Sequence, residues 1–266
     1  MRERVFPAIW ATALMAAIGL HPLRAQTQGG PVFEVASLRP HPPTVGAVHK
    51  PWLPTFQCPP GWKCGILGDR FREVAVSLGE LIEDAYKIKK AQIAGLPGWG
   101  DSIRYDLDAK VEGDGPPAVD DVRLMLQAFL EDRFQLQVHH ESRLLPVYSL
   151  LAAKGGVKLI PNRSPCLPAG SAGAAAHKND DFLPWPFYAE ALFTFAGRLI
   201  IDETGLDGRG YCTVDGRDPL LAVLMDREGG ASLFTAIEET WGIKVESKRA
   251  LVDVLVIDKV EKPSEN

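Results

Sequence analysis

Phe134-Gln-Leu-Gln-Val-His-His-Glu-Ser-Arg-Leu-Leu-Pro-Val147 and Trp241-Gly-Ile-Lys-Val-Glu-Ser-Lys-Arg-Ala-Leu-Val-Asp-Val254 decide how this chain is read. Aligned without a gap, Phe134, Leu136, Val138, Leu144 and Val147 fall on Trp241, Ile243, Val245, Leu251 and Val254, an offset of 107 positions. Both stretches open on an aromatic and continue with apolar residues at alternate positions, the period of a strand. Further out, Ile93, Asp101 and Tyr105 fall on Leu199, Asp207 and Tyr211 at an offset of 106, a difference that one loop residue absorbs. The pattern predicts an α+β fold of two tandem helix–β–β–helix–β–β repeats, each with its helices packed on one face of a small sheet. A single copy of about 80 residues makes a marginal core, and two packed together make a firmer one.

The local signals fill in these units. Ser77 stands as an N-cap with Glu80 three residues on, before Leu78, Leu81, Ile82, Ala85 and Tyr86 at helical spacing. Glycines and Pro97 separate two short strands, 91–96 and 104–111, and a second helix is predicted over 119–133. Residues 135–140 and 145–152 then read as a hairpin. In the second unit a helix is predicted over 187–197, strands over 199–202 and 211–214, and a helix from Ser232 to Trp241. A hairpin over 243–247 and 252–260 closes the chain. The helix openings at Ser77 and Ser232 share the frame Ser-Leu-x-x-x-Ile-Glu. The resulting division is 1–25, 26–69 (one strand and a Pro/Gly-rich loop), 70–152 (first repeat), 153–186 (linker, or an ordered insertion held by Cys166) and 187–266 (second repeat).

Residues 1–25 have the form of an export signal: Arg2 and Arg4, an uncharged apolar run from Val5 to Leu20, then a polar stretch with Ala25 at the cut. The run is short for a membrane span, and an uncleaved anchor is the competing reading. Cleavage would remove Arg2, Arg4, Arg24 and Glu3 and take the formal charge from −5 to −7. An acidic chain has no broad electrostatic attraction for nucleic acid, and none is expected as a partner. All four cysteines follow the cut, where export implies an oxidising compartment. Cys58 and Cys64 bracket a turn-rich loop, which favours a local disulfide and leaves Cys166 to Cys212. A zinc site is the alternative, without the usual ligand spacing.

Three groups of residues are candidates for chemistry. His139, Glu141 and Arg143 share one strand face, either as a metal or acid–base site or as a solvated polar ladder. Asp202, Asp207 and Arg209 cluster around Gly205 and Gly208, either as an ion site or as a polar turn. Trp52, Trp62, Trp99 and Trp185 lie in Pro/Gly-rich loops, as ligand-binding aromatics or as buried plugs. Nucleophile-elbow, zinc-protease, phosphate-loop and dinucleotide signatures are absent from the sequence.

Several motifs stand together in a telling order: Phe33-Glu-Val-Ala-Ser-Leu-Arg-Pro40, Gly95-Leu-Pro-Gly-Trp99, Tyr105-Asp-Leu107, the helix Leu124–Phe134, Val138–Tyr148, Ile201–Arg209 and the final segment Val254–Asn266. In this combination the chain resembles a large family of secreted soil-bacterial proteins of unknown function. It departs from that pattern at Gly208-Arg-Gly-Tyr-Cys212 and in the aromatic-rich helix at Phe187, Tyr188, Phe193 and Phe195. The element order of each unit is also similar to the short N-terminal domain of secretins and TonB-dependent receptors, a periplasmic interaction module. The resemblance implies no catalytic residue and no cofactor. The expectation is an exported, non-catalytic interaction module of the cell envelope or exterior, with an envelope protein or peptide as partner and an open sheet edge as its docking element. A secreted hydrolase or metal-binding enzyme, and a carbohydrate-binding protein, are the alternatives.

Overall fold

The computed structural model describes residues 31–42, 65–113, 115–161, 185–214, 216, 218–226 and 232–263. In chain order these form β1 (Val35–Pro40), β2 (Gly65–Leu67), β3 (Arg70–Ser77), α1 (Leu78–Tyr86), a 3₁₀ turn (Lys90–Gln92), β4 (Ile93–Ala94), α2 (Trp99–Ser102), β5 (Arg104–Lys110), α3 (Val119–Phe134) and β6 (Gln137–Ala152). Then follow β7 (Leu159–Pro161), α4 (Trp185–Ala196), β8 (Ile200–Asp202), β9 (Tyr211–Thr213), α5 (Pro219–Asp226), α6 (Leu233–Trp241) and β10 (Ile243–Lys259). The fold is a mixed α and β one with several helices and several small sheets.

Local chemistry explains the helix ends. At the start of α1 the Ser77 hydroxyl accepts from the Glu80 N–H at 3.2 Å, and the Glu80 carboxylate accepts from the Ser77 N–H at 2.7 Å. Two orphan donors are satisfied reciprocally, as the capping-box pattern predicts. At the start of α6 the Ser232 hydroxyl accepts from the Thr235 N–H at 3.1 Å. The sequence pattern above does not predict α5, although Asp218 followed by Pro219 is a legible opening, since proline suits the first helical position.

The strands do not pair as the sequence pattern predicts. Neither hairpin forms. Instead β6 and β10 are single long strands that pair with each other, antiparallel, from Ile243 opposite Ala152 to Lys259 opposite Gln137, with one irregularity between Ile257 and Lys259. The reason lies at the supposed turns. Glu141-Ser-Arg-Leu144 and Lys248-Arg-Ala-Leu251 contain no glycine, asparagine or aspartate to reverse the chain, so the strand period runs straight through. The ribbon is flanked by β4, parallel to β10, and by β8, parallel to β6, in the order β4-β10-β6-β8. The described parts of residues 26–69 contribute β1 and β2 to a second antiparallel sheet, β1-β5-β3-β2. The expected linker contains β7, which pairs with β9.

The registers of the two flanks correspond at a constant offset. Ile93 lies opposite Leu255, and Ile200 lies opposite Tyr148, each member 107 positions from its counterpart. At the same offset Leu144 lies opposite Leu251, at the middle of the ribbon. The ladder therefore matches Ile93 with Ile200, one residue past the Leu199 of the sequence alignment.

Two cores sit at the two ends of the ribbon. The first joins Phe71, Tyr105 and Leu107 of one sheet to Leu81 and Ile82 of α1, Leu126, Leu130 and Phe134 of α3, and Leu255 of β10. The second joins Trp185, Tyr188 and Leu192 of α4 to Ile237 and Trp241 of α6, and Leu150 of β6. Each long strand thus serves both cores: β6 leaves the first to give Leu150 to the second, and β10 leaves the second to give Leu255 to the first. A fully buried leucine contributes roughly 1.5–3 kcal/mol. Backbone bonds complete the exchange, for the Phe134 carbonyl accepts from the Glu261 N–H at 2.7 Å and the Trp241 carbonyl from the Lys158 N–H at 2.8 Å.

Candidate functional site

The exchange leaves each long strand paired on one side only along much of its length. The Tyr148 N–H donates to the Leu199 carbonyl and the Glu203 N–H to the Leu150 carbonyl. Even-numbered residues of β6 therefore aim their backbone groups away from β10, as non-hydrogen-bonded pairs of an antiparallel ladder must. On β10 the Asp253 carbonyl accepts from the Gln92 side chain at 3.0 Å, which places the odd-numbered residues on its outer side. Among the described residues no strand pairs with β6 before Tyr148 or with β10 before Leu255.

The two open flanks differ. On β10 the outer side carries Val245, Ser247, Arg249 and Leu251, each with an N–H and a carbonyl. On β6 it carries Val138, His140, Ser142 and Leu144, then Pro146, which has no N–H. The Leu144 carbonyl already accepts from the Arg249 guanidinium at 3.0 Å. Leu144 and Leu251 are 50% and 73% exposed, an apolar pair on the surface at the ribbon's midpoint.

The polar residues singled out from sequence line this ribbon. His139 bonds Asp258 at 2.8 Å rather than Glu141. Glu141 instead takes two bonds from Arg143, at 3.0 and 2.6 Å, and that guanidinium holds its carboxyl below the usual range. His140, on the opposite face, bonds Asp253 at 2.8 Å. Among the described residues there is no group of three or more His, Cys, Asp and Glu side chains placed to hold a metal ion. Alternating charges on an exposed strand are a common guard against uncontrolled edge pairing.

The remaining candidates are structural in their contacts. The Asp202 carboxylate accepts from the Trp185 indole at 2.6 Å and from the Thr204 N–H and hydroxyl, at 3.0 and 2.7 Å. Asp207 accepts from the Arg209 N–H and the Tyr211 hydroxyl, and so closes a polar turn. Trp185 is fully buried, a plug, while Trp99 is half-buried beneath the Lys262 ammonium, 5.9 Å from the ring centre. Trp52 and Trp62 lie outside the described residues, as do Cys58, Cys64 and Cys166. Cys212 is buried on β9 and disulfide-bonded, and its partner lies outside the described residues.

Sequence reading missed Glu203. It accepts from Lys248 at 2.6 Å and from the buried Ser149 hydroxyl, tying β6, β10 and the end of β8 together. The Lys248 ammonium, with Ser149, lowers its pKa. Only the three-dimensional pairing brings these residues together, so no local spacing announces them. The Gly95-Leu-Pro-Gly-Trp motif is likewise a packing device: Gly95, at φ +82°, lies so close to Ile257 that an added Cβ would stand 3.0 Å from its carbonyl oxygen. Among the described residues no helix is long and apolar enough to cross a membrane.

No curated protein and no solved structure matches this sequence. A family model does, described as "Protein of unknown function (DUF3738)", over residues 79–260, a span that takes in the whole ribbon, the second core and most of the first. The chain belongs to the DUF3738 family.

Proposed function

We propose that this protein is an exported, non-catalytic interaction module of the cell envelope or exterior, and that its docking element is the open flank of β10. The observation that carries the proposal is the uninterrupted row of outward backbone groups at Val245, Ser247, Arg249 and Leu251. An extended peptide from an envelope protein adds to such an edge by main-chain hydrogen bonds, with its alternate side chains read by the flanking residues. The exposed Leu251 offers an apolar contact, and Lys244 with Glu246, paired at 2.6 Å, a charged one. The signal-like residues 1–25 support export, and the constant offset between the halves supports their origin by tandem duplication.

The test uses the full mature chain. Ser247 belongs to a non-hydrogen-bonded pair with Tyr148, so Ser247→Pro removes an outward donor without touching the β6–β10 ladder. Envelope extract passed over immobilised protein should yield a partner retained by the wild type and lost by Ser247→Pro. With that partner bound, amide exchange should slow at Ser247, Arg249 and Leu251. Retention unaffected by the proline, or protection elsewhere, refutes the docking site. Mass spectrometry that finds Met1 intact on a cytoplasmic protein refutes export.

A further inference from the structure

We propose that the open flank of β6 joins a second copy of this chain, the two β6 strands running antiparallel about Ser142. This is a different flank from the one assigned to a peptide, and the argument for it is independent. Pro146 stops a long peptide from bonding continuously along β6, because the outward row loses its donor there. The segment before it, Val138 to Leu144, is short and self-complementary.

The complementarity lies in charge. Glu141 and Arg143 stand either side of Ser142 on one face, both about half-exposed. A two-fold axis at Ser142 sets Glu141 opposite Arg143 of the second copy, and Arg143 opposite its Glu141. Moving the axis by one residue destroys this. At Glu141 it opposes two carboxylates, and at Arg143 two guanidinium groups, and like charges directly opposite are destabilising. One register is therefore selected. In that register the outward groups of Ser142 meet each other, and those of His140 meet Leu144. The Leu144 carbonyl keeps its bond from Arg249 and has a second lone pair for the new N–H. Pro146 falls opposite Val138, at the margin. The half-exposed Leu144 is covered by His140 of the second copy.

Sedimentation or light scattering of the mature protein over a concentration series tests this. The wild type should form a dimer. Arg143→Glu should weaken it by about tenfold or more, since it opposes two like-charged pairs. The double variant Glu141→Arg with Arg143→Glu should restore the affinity to within about threefold, because the pairs are merely exchanged. Ser142→Pro should give a monomer with unchanged circular dichroism, and Ser247→Pro should leave the dimer intact. A wild type that stays monomeric at every concentration overturns the proposal. So does a dimer indifferent to Arg143→Glu, or one that the double exchange fails to restore. The charge variants decide the matter if Ser142→Pro does not fold.

Discussion

The two helix-to-strand junctions, Phe134-Gln-Leu136 and Trp241-Gly-Ile243, solve one geometric problem with different residues. In both, a fully buried aromatic ends a helix, the next residue is left-handed, and a long strand begins. At the first junction Gln135 takes φ 52°, and its side chain bonds back to the Asp132 carbonyl at 2.9 Å. At the second, glycine is obligatory. Gly242 takes φ 64°, and a Cβ there would overlap the Gly156 carbonyl oxygen. The aromatics differ as well. Phe134 packs edge-on to Tyr105 and Phe129, whereas Trp241 packs against Trp185 and Tyr188 and donates its indole N–H to the Pro219 carbonyl at 2.8 Å. The buried aromatic is thus held by packing alone in one half, and by packing plus a side-chain hydrogen bond in the other.

The strongest way to break this parallel is truncation. Phe134→Ala and Trp241→Ala should each cost about 3–5 kcal/mol in denaturant unfolding. Trp241→Ala should be the worse, because it also removes the indole hydrogen bond to the Pro219 carbonyl. Gly242→Ala should follow, at about 2 kcal/mol or more, from left-handed strain and the overlap with Gly156. Gln135→Gly, by contrast, should change stability by no more than about 1 kcal/mol in either direction, since relief of strain offsets a lost exposed bond. Equal costs at the two left-handed positions would show that the close approach of Gly156 does not matter.

The helix openings sharpen the comparison through pH. Glu83 of α1 and Glu238 of α6 occupy matching places after their serine caps, but Glu238 is exposed and Glu83 half-buried. Burial pushes the Glu83 carboxyl from 4.5 up to about 7, against the lowering effect of a Lys90 backbone bond and the Lys89 charge. A raised carboxylate pKa means that the folded state holds the proton more tightly. The stabilisation is full below pH 4.5 and is lost as pH rises through about 7. Glu83→Gln should flatten that fall and raise stability at pH 8 by about 1–2 kcal/mol, a figure reduced for partial exposure. The smallest effect is expected at the ribbon. His139→Ala removes an exposed pair with Asp258 and should cost less than about 1 kcal/mol.

Legibility in the sequence followed range. The Ser77 capping box and the helix ending at Phe134 could be read from neighbours within a few residues. The pairing of the ribbon could not. Alternation says that a segment is a strand and is silent about its partner, so a hairpin and a single long strand look alike over 135–152 and 243–260. The candidate site shared this fate. The polar face of β6 was visible, but His139 meets Asp258 and His140 meets Asp253 only because a strand more than a hundred positions later lies alongside.

That separation governs the order of events in folding. The contacts that complete the first core, at Leu255 and beyond, come about a hundred residues after the end of β6. The Phe134 carbonyl waits for Glu261 in the same way. A nascent chain that has finished α3 and β6 holds an unfinished core and a long bare strand until β10 arrives. Contacts so distant in sequence are slow to form, and an intermediate with unpaired strand edges is open to capture by its neighbours. Deleting Val254 to Val260 should therefore leave a chain that aggregates.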